Sequence, residues 1–163
     1  MRTLLALTLC AALAACFSSD GPVFAEDRGQ CPFTTPTLYD EIDETPYRFV
    51  FETDGAYCKV TDTDGNATRA LFVPLGRDRW IVQGDEAQPT YAIMRRRGDR
   101  LIQYMPRCQD FSAARLRRLN VTFDEDRERC TVKDAHQVEA LFRTWSGGRA
   151  TAAYRLVREQ PGG

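Results

Sequence analysis

Residue types able to do chemistry are sparse in this chain and lie far apart. His136 is the only histidine. A catalytic imidazole needs a nucleophile and an orienting carboxylate beside it. On the helix expected around it, His136 lies near Glu139, Ala140 and Arg143, away from the apolar stripe. The chain has no Gly-x-Ser-x-Gly and no Cys/His nucleophile pair, so nothing points to a hydrolase. Asp124-Glu125-Asp126 offers paired carboxylates, but an acidic run of this kind reads as a solvated loop. Asp62-x-Asp64-Gly65-Asn66 gathers oxygens that suit a hard cation. Its glycine comes too early for an EF-hand and no Glu closes it, so it reads as a hairpin turn. No enzyme activity, metal or other cofactor is expected.

Arginine is the one functional residue type that clusters. Arg95-Arg96-Arg97 and Arg100 flank Gly98-Asp99, and Arg107, Arg115, Arg117 and Arg118 follow. Strand alternation puts Arg95 and Arg97 on one face and Arg96 on the other. Arg95, Arg97, Arg100 and Arg107 are therefore the candidate anion-binding set, for phosphorylated lipid heads or an acidic partner. Arg97-Gly98-Asp99 also places a three-residue adhesion motif at a turn, where Gly-Asp is expected for turn chemistry alone. With 22 basic and 23 acidic residues the chain is near neutral, which argues against nucleic acid as a partner. The charges are segregated. Residues 16–67 carry three basic and eleven acidic residues, and residues 68–123 carry eleven arginines and five acids.

The first fifteen residues are an export signal. Arg2 gives a short positive region, and residues 4–15 form an almost unbroken apolar run ending on small residues, too short to span a bilayer comfortably. Leu13-Ala14-Ala15-Cys16 resembles the lipobox of bacterial lipoprotein precursors. That resemblance implies cleavage before Cys16, acylation (palmitate among the chains) on its sulfur and on the new amino group, and stable membrane anchoring through several chains. Phe17 in place of Asp after the cysteine implies the periplasmic face of a Gram-negative outer membrane. The alternative is a freely soluble periplasmic protein cut after Ala25.

Four cysteines remain in the exported chain: Cys31, Cys58, Cys108 and Cys130. An even number in an oxidising compartment reads as two disulfides with three possible connectivities, of which Cys31–Cys58 and Cys108–Cys130 are favoured. No pair has zinc-site spacing.

Prolines, glycines and acids make residues 16–45 read as a lipidated tether. From Tyr47 the period becomes two, with strand segments at 47–51, 57–60, 70–73, 79–83, 91–94 and 101–105 separated by turn residues. A helix over 111–119 capped by Asp110, a possible short strand near Cys130 and a helix opened by Asp134 and Gln137 follow. Its stripe is Val138, Leu141, Phe142 and Trp145. Residues 151–157 alternate as a last strand, and 159–163 read as a frayed tail. The expected class is α+β: one domain over 46–158, an antiparallel meander of about six strands with the helices packed on one face. Tyr47, Phe49, Phe51, Tyr57, Trp80, Tyr91 and Tyr104 are candidates to line a ligand cavity, with a pocket beneath Trp80 and Trp145.

The function expected from these features is a non-catalytic, lipid-anchored envelope lipoprotein that binds another envelope protein or polymer. The alternative is a small-ligand or inhibitor module using the sheet face or the arginine cluster.

Overall fold

A computed structural model describes residues 17–42, 47–124 and 128–157. The strands are β1 Phe17–Ser18, β2 Thr37–Glu41, β3 Arg48–Asp54, β4 Tyr57–Asp62, β5 Ala67–Gly76, β6 Arg79–Gly84, β7 Tyr91–Arg97, β8 Arg100–Tyr104, β9 Thr122–Asp124, β10 Arg129–Thr131 and β11 Ala152–Leu156. Two short helices accompany them, α1 Ala113–Arg118 and α2 Ala135–Thr144. The strands β11-β2-β3-β4-β5-β6-β7-β8 close an antiparallel barrel, and β1-β10-β9 form a small separate sheet.

The protein is thus mostly β, and the expected α+β class is wrong. Strands β3 to β8 follow one another as a meander, but the sheet is not open. β11 pairs with β8 on one side and with β2 on the other, sealing the ring. Strand β2 was hidden in the supposed tether because Pro36 precedes it and Asp40 and Glu41 sit within it. Its register with β3 nonetheless stacks Tyr39 on Phe49 and leaves Asp40 outside beside Arg48, which it binds at 2.7 Å. Helix α1 is also shorter than expected. Ser112, not Asp110, caps it by accepting from the Arg115 N–H, while α2 is capped by Asp134 as its sequence suggests.

Two apolar cores result. Inside the barrel lie Phe33, Tyr39, Phe51, Cys58, Phe72, Trp80, Met94, Leu101 and Tyr154. An eight-stranded barrel is just wide enough for side chains to fill, and edge-to-face ring contacts such as Tyr39–Phe51 and Phe51–Tyr154 do so here. The second core lies outside. Leu71, Val73, Ile81, Tyr91 and Ile93 point outward from β5, β6 and β7, under Val138, Leu141 and Phe142 of α2, Leu116 of α1, and Phe17 and Phe24.

Residues 17–42 are therefore not a tether. Phe17 is 0% exposed and sits edge-on to both Phe111 and Phe142, with ring centroids 5.5 Å away in each case. β1 pairs parallel with β10. The buried Gln83 amide then acts as a surrogate strand, accepting from the Val23 and Phe24 N–H groups and donating to the Phe24 carbonyl. The Ser19 hydroxyl meets the Tyr91 phenol at 2.5 Å. The segment turns back over β5, and Phe33 enters the barrel where the Cys31–Cys58 disulfide fastens it to β4. The Cys108–Cys130 disulfide ties the turn before α1 to β10. Prolines and acids blocked regular structure here without blocking burial, since isolated aromatic anchors suffice to seat an irregular chain.

Phe17→Ala is expected to destabilise the domain by about 3–5 kcal/mol, read as a lowered midpoint in urea unfolding. An unchanged midpoint would mean that Phe17 does not occupy the outer core.

Candidate functional site

The meander fixes which residues share an end of the barrel. The turns β3–β4, β5–β6 and β7–β8 lie at one end, and the turns β4–β5 and β6–β7 at the other. The first end is basic on the β5 to β8 side. Its β5–β6 turn carries Arg77 and Asp78, and the β7–β8 hairpin carries Arg95, Arg96, Arg97, Asp99 and Arg100. Gly98, at φ 60°, supplies the left-handed position that this two-residue turn requires.

Register places arginine opposite arginine on three neighbouring strand pairs. Arg79 faces Arg95 across β6–β7, Arg97 faces Arg100 across β7–β8, and Arg100 faces Arg155 across β8–β11. All of these project from the outer surface, because the alternate positions Trp80, Met94, Leu101 and Tyr154 fill the barrel. Arg95, Arg97, Arg100 and Arg155 are exposed. Directly opposed like charges destabilise a sheet, so this rib is held against local repulsion.

Arg79 is anchored differently. Its guanidinium donates to the Phe142 carbonyl at 2.7 Å and the Trp145 carbonyl at 3.1 Å, closing the C-terminal end of α2 where positive charge is favoured. Burial, then repulsion from Arg95 and Arg143, lowers its pKa below the usual guanidinium value. That repulsion brings Arg143 into the same group. Arg96 alternates to the inner side at the barrel mouth, where it binds Asp78 at 2.6 Å and lies over the Trp80 ring.

Of the candidate anion-binding residues, the fold gathers Arg95, Arg97 and Arg100 on one rib. Arg107 lies beyond the opposite end of β8, where its N–H bonds Asp110 at 2.9 Å. The sequence reading missed Arg79 and Arg155 as members. Arg79 has the outward parity of its strand and was legible in that sense, whereas Arg155 joins only because the barrel closes.

The other candidates separate. Asp62 is a turn organiser: one carboxylate oxygen accepts from the Asp64 and Asn66 N–H groups and the other from the Asn66 side chain. Those bonds, the Asn66 side chain foremost, hold its pKa below the usual carboxylate range. Among the described residues no three His, Cys, Asp or Glu side chains gather in a way that holds a metal ion. His136 is exposed on α2. Glu125 and Asp126 lie outside the described residues, as does Cys16.

The aromatic residues suggested for a ligand cavity divide between the two faces. Phe49, Phe51 and Trp80 help to pack the barrel, whereas Tyr91 and Trp145 belong to the outer core, so Trp80 and Trp145 share no pocket. A surface cleft of about 340 Å³ lies between Asp110, Ser112, Arg115, Thr144 and Trp145. Its carboxylate is already engaged by the Trp145 indole N–H. No helix among the described residues is long and apolar enough to cross a membrane. Comparison with protein families, characterised proteins and solved structures yields no match to this chain.

Asp62→Asn is expected to flatten the acid limb of the stability profile. The carboxylate has a depressed pKa in the folded state, so its contribution is present above the ordinary value of 3.8 and disappears as pH falls through the lower folded value. Urea midpoints between pH 2 and pH 7 check this. Equal acid sensitivity in both proteins would contradict it.

Proposed function

We propose that this is a lipid-anchored envelope lipoprotein, cut before Cys16 and acylated there, whose barrel domain works by binding another envelope protein or polymer and not by catalysis. The observation that carries the reading is the burial of the residues that directly follow Cys16 in sequence. Phe17, directly after the lipobox cysteine, is fully buried, and Ser19 and Phe24 are buried behind it. A cut before Cys16 leaves this whole set in the mature chain. A cut after Ala25 would remove Phe17 from the outer core, β1 from its sheet and both backbone partners of the Gln83 carbonyl oxygen. That would expose apolar surface on β5 to β7 and orphan a buried amide, losses that each cost on the order of kilocalories. The fold thus supports the lipoprotein reading over the freely soluble alternative.

The same fact changes what the anchor does. With no slack between Cys16 and the domain, acyl chains would hold the barrel close to the bilayer, with little freedom to turn over. Placement on the periplasmic face of the outer membrane rests on Phe17 in the position where Asp would direct retention at the inner membrane.

The packed interior supports binding at the outer surface in preference to a ligand enclosed in the barrel. The expected partner class is a surface-presented protein or polymer of the envelope, which in-cell crosslinking of the lipidated protein identifies.

Cys16→Ser is expected to abolish incorporation of labelled fatty acid and to leave the precursor uncut. In a separate measurement, a chain starting at Glu26 is expected to lose cooperative unfolding, whereas a chain starting at residue 16 retains it. Fatty-acid labelling that survives Cys16→Ser, or a mature protein starting at Glu26 with the stability of the longer chain, would contradict the proposal.

A further inference from the structure

We propose that the basic end of the barrel, centred on Arg95, Arg97 and Arg100 with Arg79 and Arg155 beside them, binds the phosphate groups of anionic lipids in the membrane that carries the anchor. The choice of a membrane as occupant rests on the lipoprotein reading, and two independent observations lead to this face.

The first is direction. Ser18 bridges Thr90 in antiparallel sense, so the chain read back from Ser18 to Phe17 runs the way β7 runs, away from the β6–β7 turn. Phe17 also packs on Phe142, whose carbonyl is held by Arg79, the residue opposite Arg95. Consecutive Cα atoms are 3.8 Å apart. Cys16 is the residue before Phe17, so its acyl chains would start beside the outer core whose far edge Arg79 and Arg95 form.

The second is charge. Arg77, Arg79, Arg95, Arg96, Arg97, Arg100 and Arg155 share this end with Asp54, Asp78 and Asp99, of which Asp54 is bound by Arg69 and Asp78 by Arg96, and Asp40 lies opposite Arg155. At the opposite end the turns carry Asp62, Asp64, Asp85 and Glu86. Such an axial separation would orient the domain in the field of an anionic surface, its basic end inward. Arg97, Arg100 and Arg155 stand one strand apart in one row, which ends on Asp40, and Arg79 and Arg95 form a second pair two residues along β7. They repel one another until an anion lies between them, and guanidinium forks match phosphate oxygens in a bidentate manner. A planar array of headgroups supplies a phosphate for each, which one small anion does not.

The test uses the chain from residue 16 with Cys16→Ser, made without its signal and so without acyl chains. It contains all the described residues, and its vesicle binding does not depend on whether Cys16 is lipidated in the cell. Co-sedimentation is measured with vesicles of phosphatidylcholine alone and of phosphatidylcholine with phosphatidylglycerol. Binding is expected only to the anionic vesicles and is expected to fall as salt is raised.

The triple variant Arg95→Gln, Arg97→Gln, Arg100→Gln is expected to weaken partitioning by about fivefold per residue, on the order of 100-fold together. The corresponding triple lysine variant is expected to keep most of the binding. Arg117→Gln with Lys133→Gln, near the start of α2, is expected to leave it unchanged. Thermal unfolding of the triple glutamine variant is expected to match or exceed the parent, because it removes like-charge pairs. Failure of the parent to bind anionic vesicles, or equal binding by the triple glutamine variant, would overturn the proposal. So would capture of an acidic envelope protein or polymer by the same arginines without vesicle binding. Survival of the lipid label in Cys16→Ser would overturn the anchor and leave the vesicle result standing.

Discussion

Strands β5, β6 and β7 are apolar on both faces, and a sheet with two apolar faces has to be covered twice. The inner face is covered by closing the barrel, which brings Phe72, Trp80 and Met94 against Tyr39, Phe51 and Tyr154. The outer face, with Leu71, Val73, Ile81, Tyr91 and Ile93, needs a separate lid. That lid is assembled from parts distant in sequence: α2, α1, the small sheet and the segment from Phe17 to Phe24. None of these has enough secondary structure to stand alone. Their stability comes from the apolar surface they share, with roughly 25 cal/mol contributed by each Å² removed from water. The two disulfides hold the irregular parts of the lid in place, Cys31–Cys58 where the chain enters the barrel and Cys108–Cys130 beside β10.

The double requirement was written in the sequence. Leu71-Phe72-Val73, Trp80-Ile81-Val82 and Tyr91-Ala92-Ile93-Met94 are unbroken apolar runs, the pattern of strands buried on both sides, whereas β3 and β11 alternate. Helices packed on one face of an open sheet account for only half of that burial. The missing half is the barrel interior, and closure depends on the two strands whose partners are hardest to read. β2 is acidic and follows a proline. β11 lies beyond both helices, where its alternation shows a strand but not its neighbours. Pairing between strands more than a hundred residues apart leaves no local signature, which is why Tyr154 beside Glu41 could not be foreseen. The buried aromatic residues Phe17, Phe24 and Phe33 were hidden for a related reason: an irregular segment anchored by single rings has no period to detect.

The candidate site was legible in part. Period-two alternation separates Arg95 and Arg97 from Arg96, and the structure keeps that separation, with Arg96 turned to Asp78 and Trp80. Membership of the rib is a property of register, so Arg79 and Arg155 joined it and Arg107 did not. Arg77 and the β7–β8 hairpin share one end of the barrel because the meander returns every second turn to the same end. Lid and basic end thus depend on one arrangement, in which Phe17 packs on Phe142, whose carbonyl Arg79 holds at the end of α2.

Native-state hydrogen exchange on the chain from residue 16 tests this arrangement most directly, at the Val23 and Phe24 amides bound to Gln83 and at the amides of β5 to β7. If the N-terminal segment is an integral cover for the sheet, Val23 and Phe24 exchange with nearly the same opening free energy as the barrel strands. If they exchange freely while β5 to β7 stay protected, the segment is a loose leader, and the account of an N-terminal segment that covers the sheet fails.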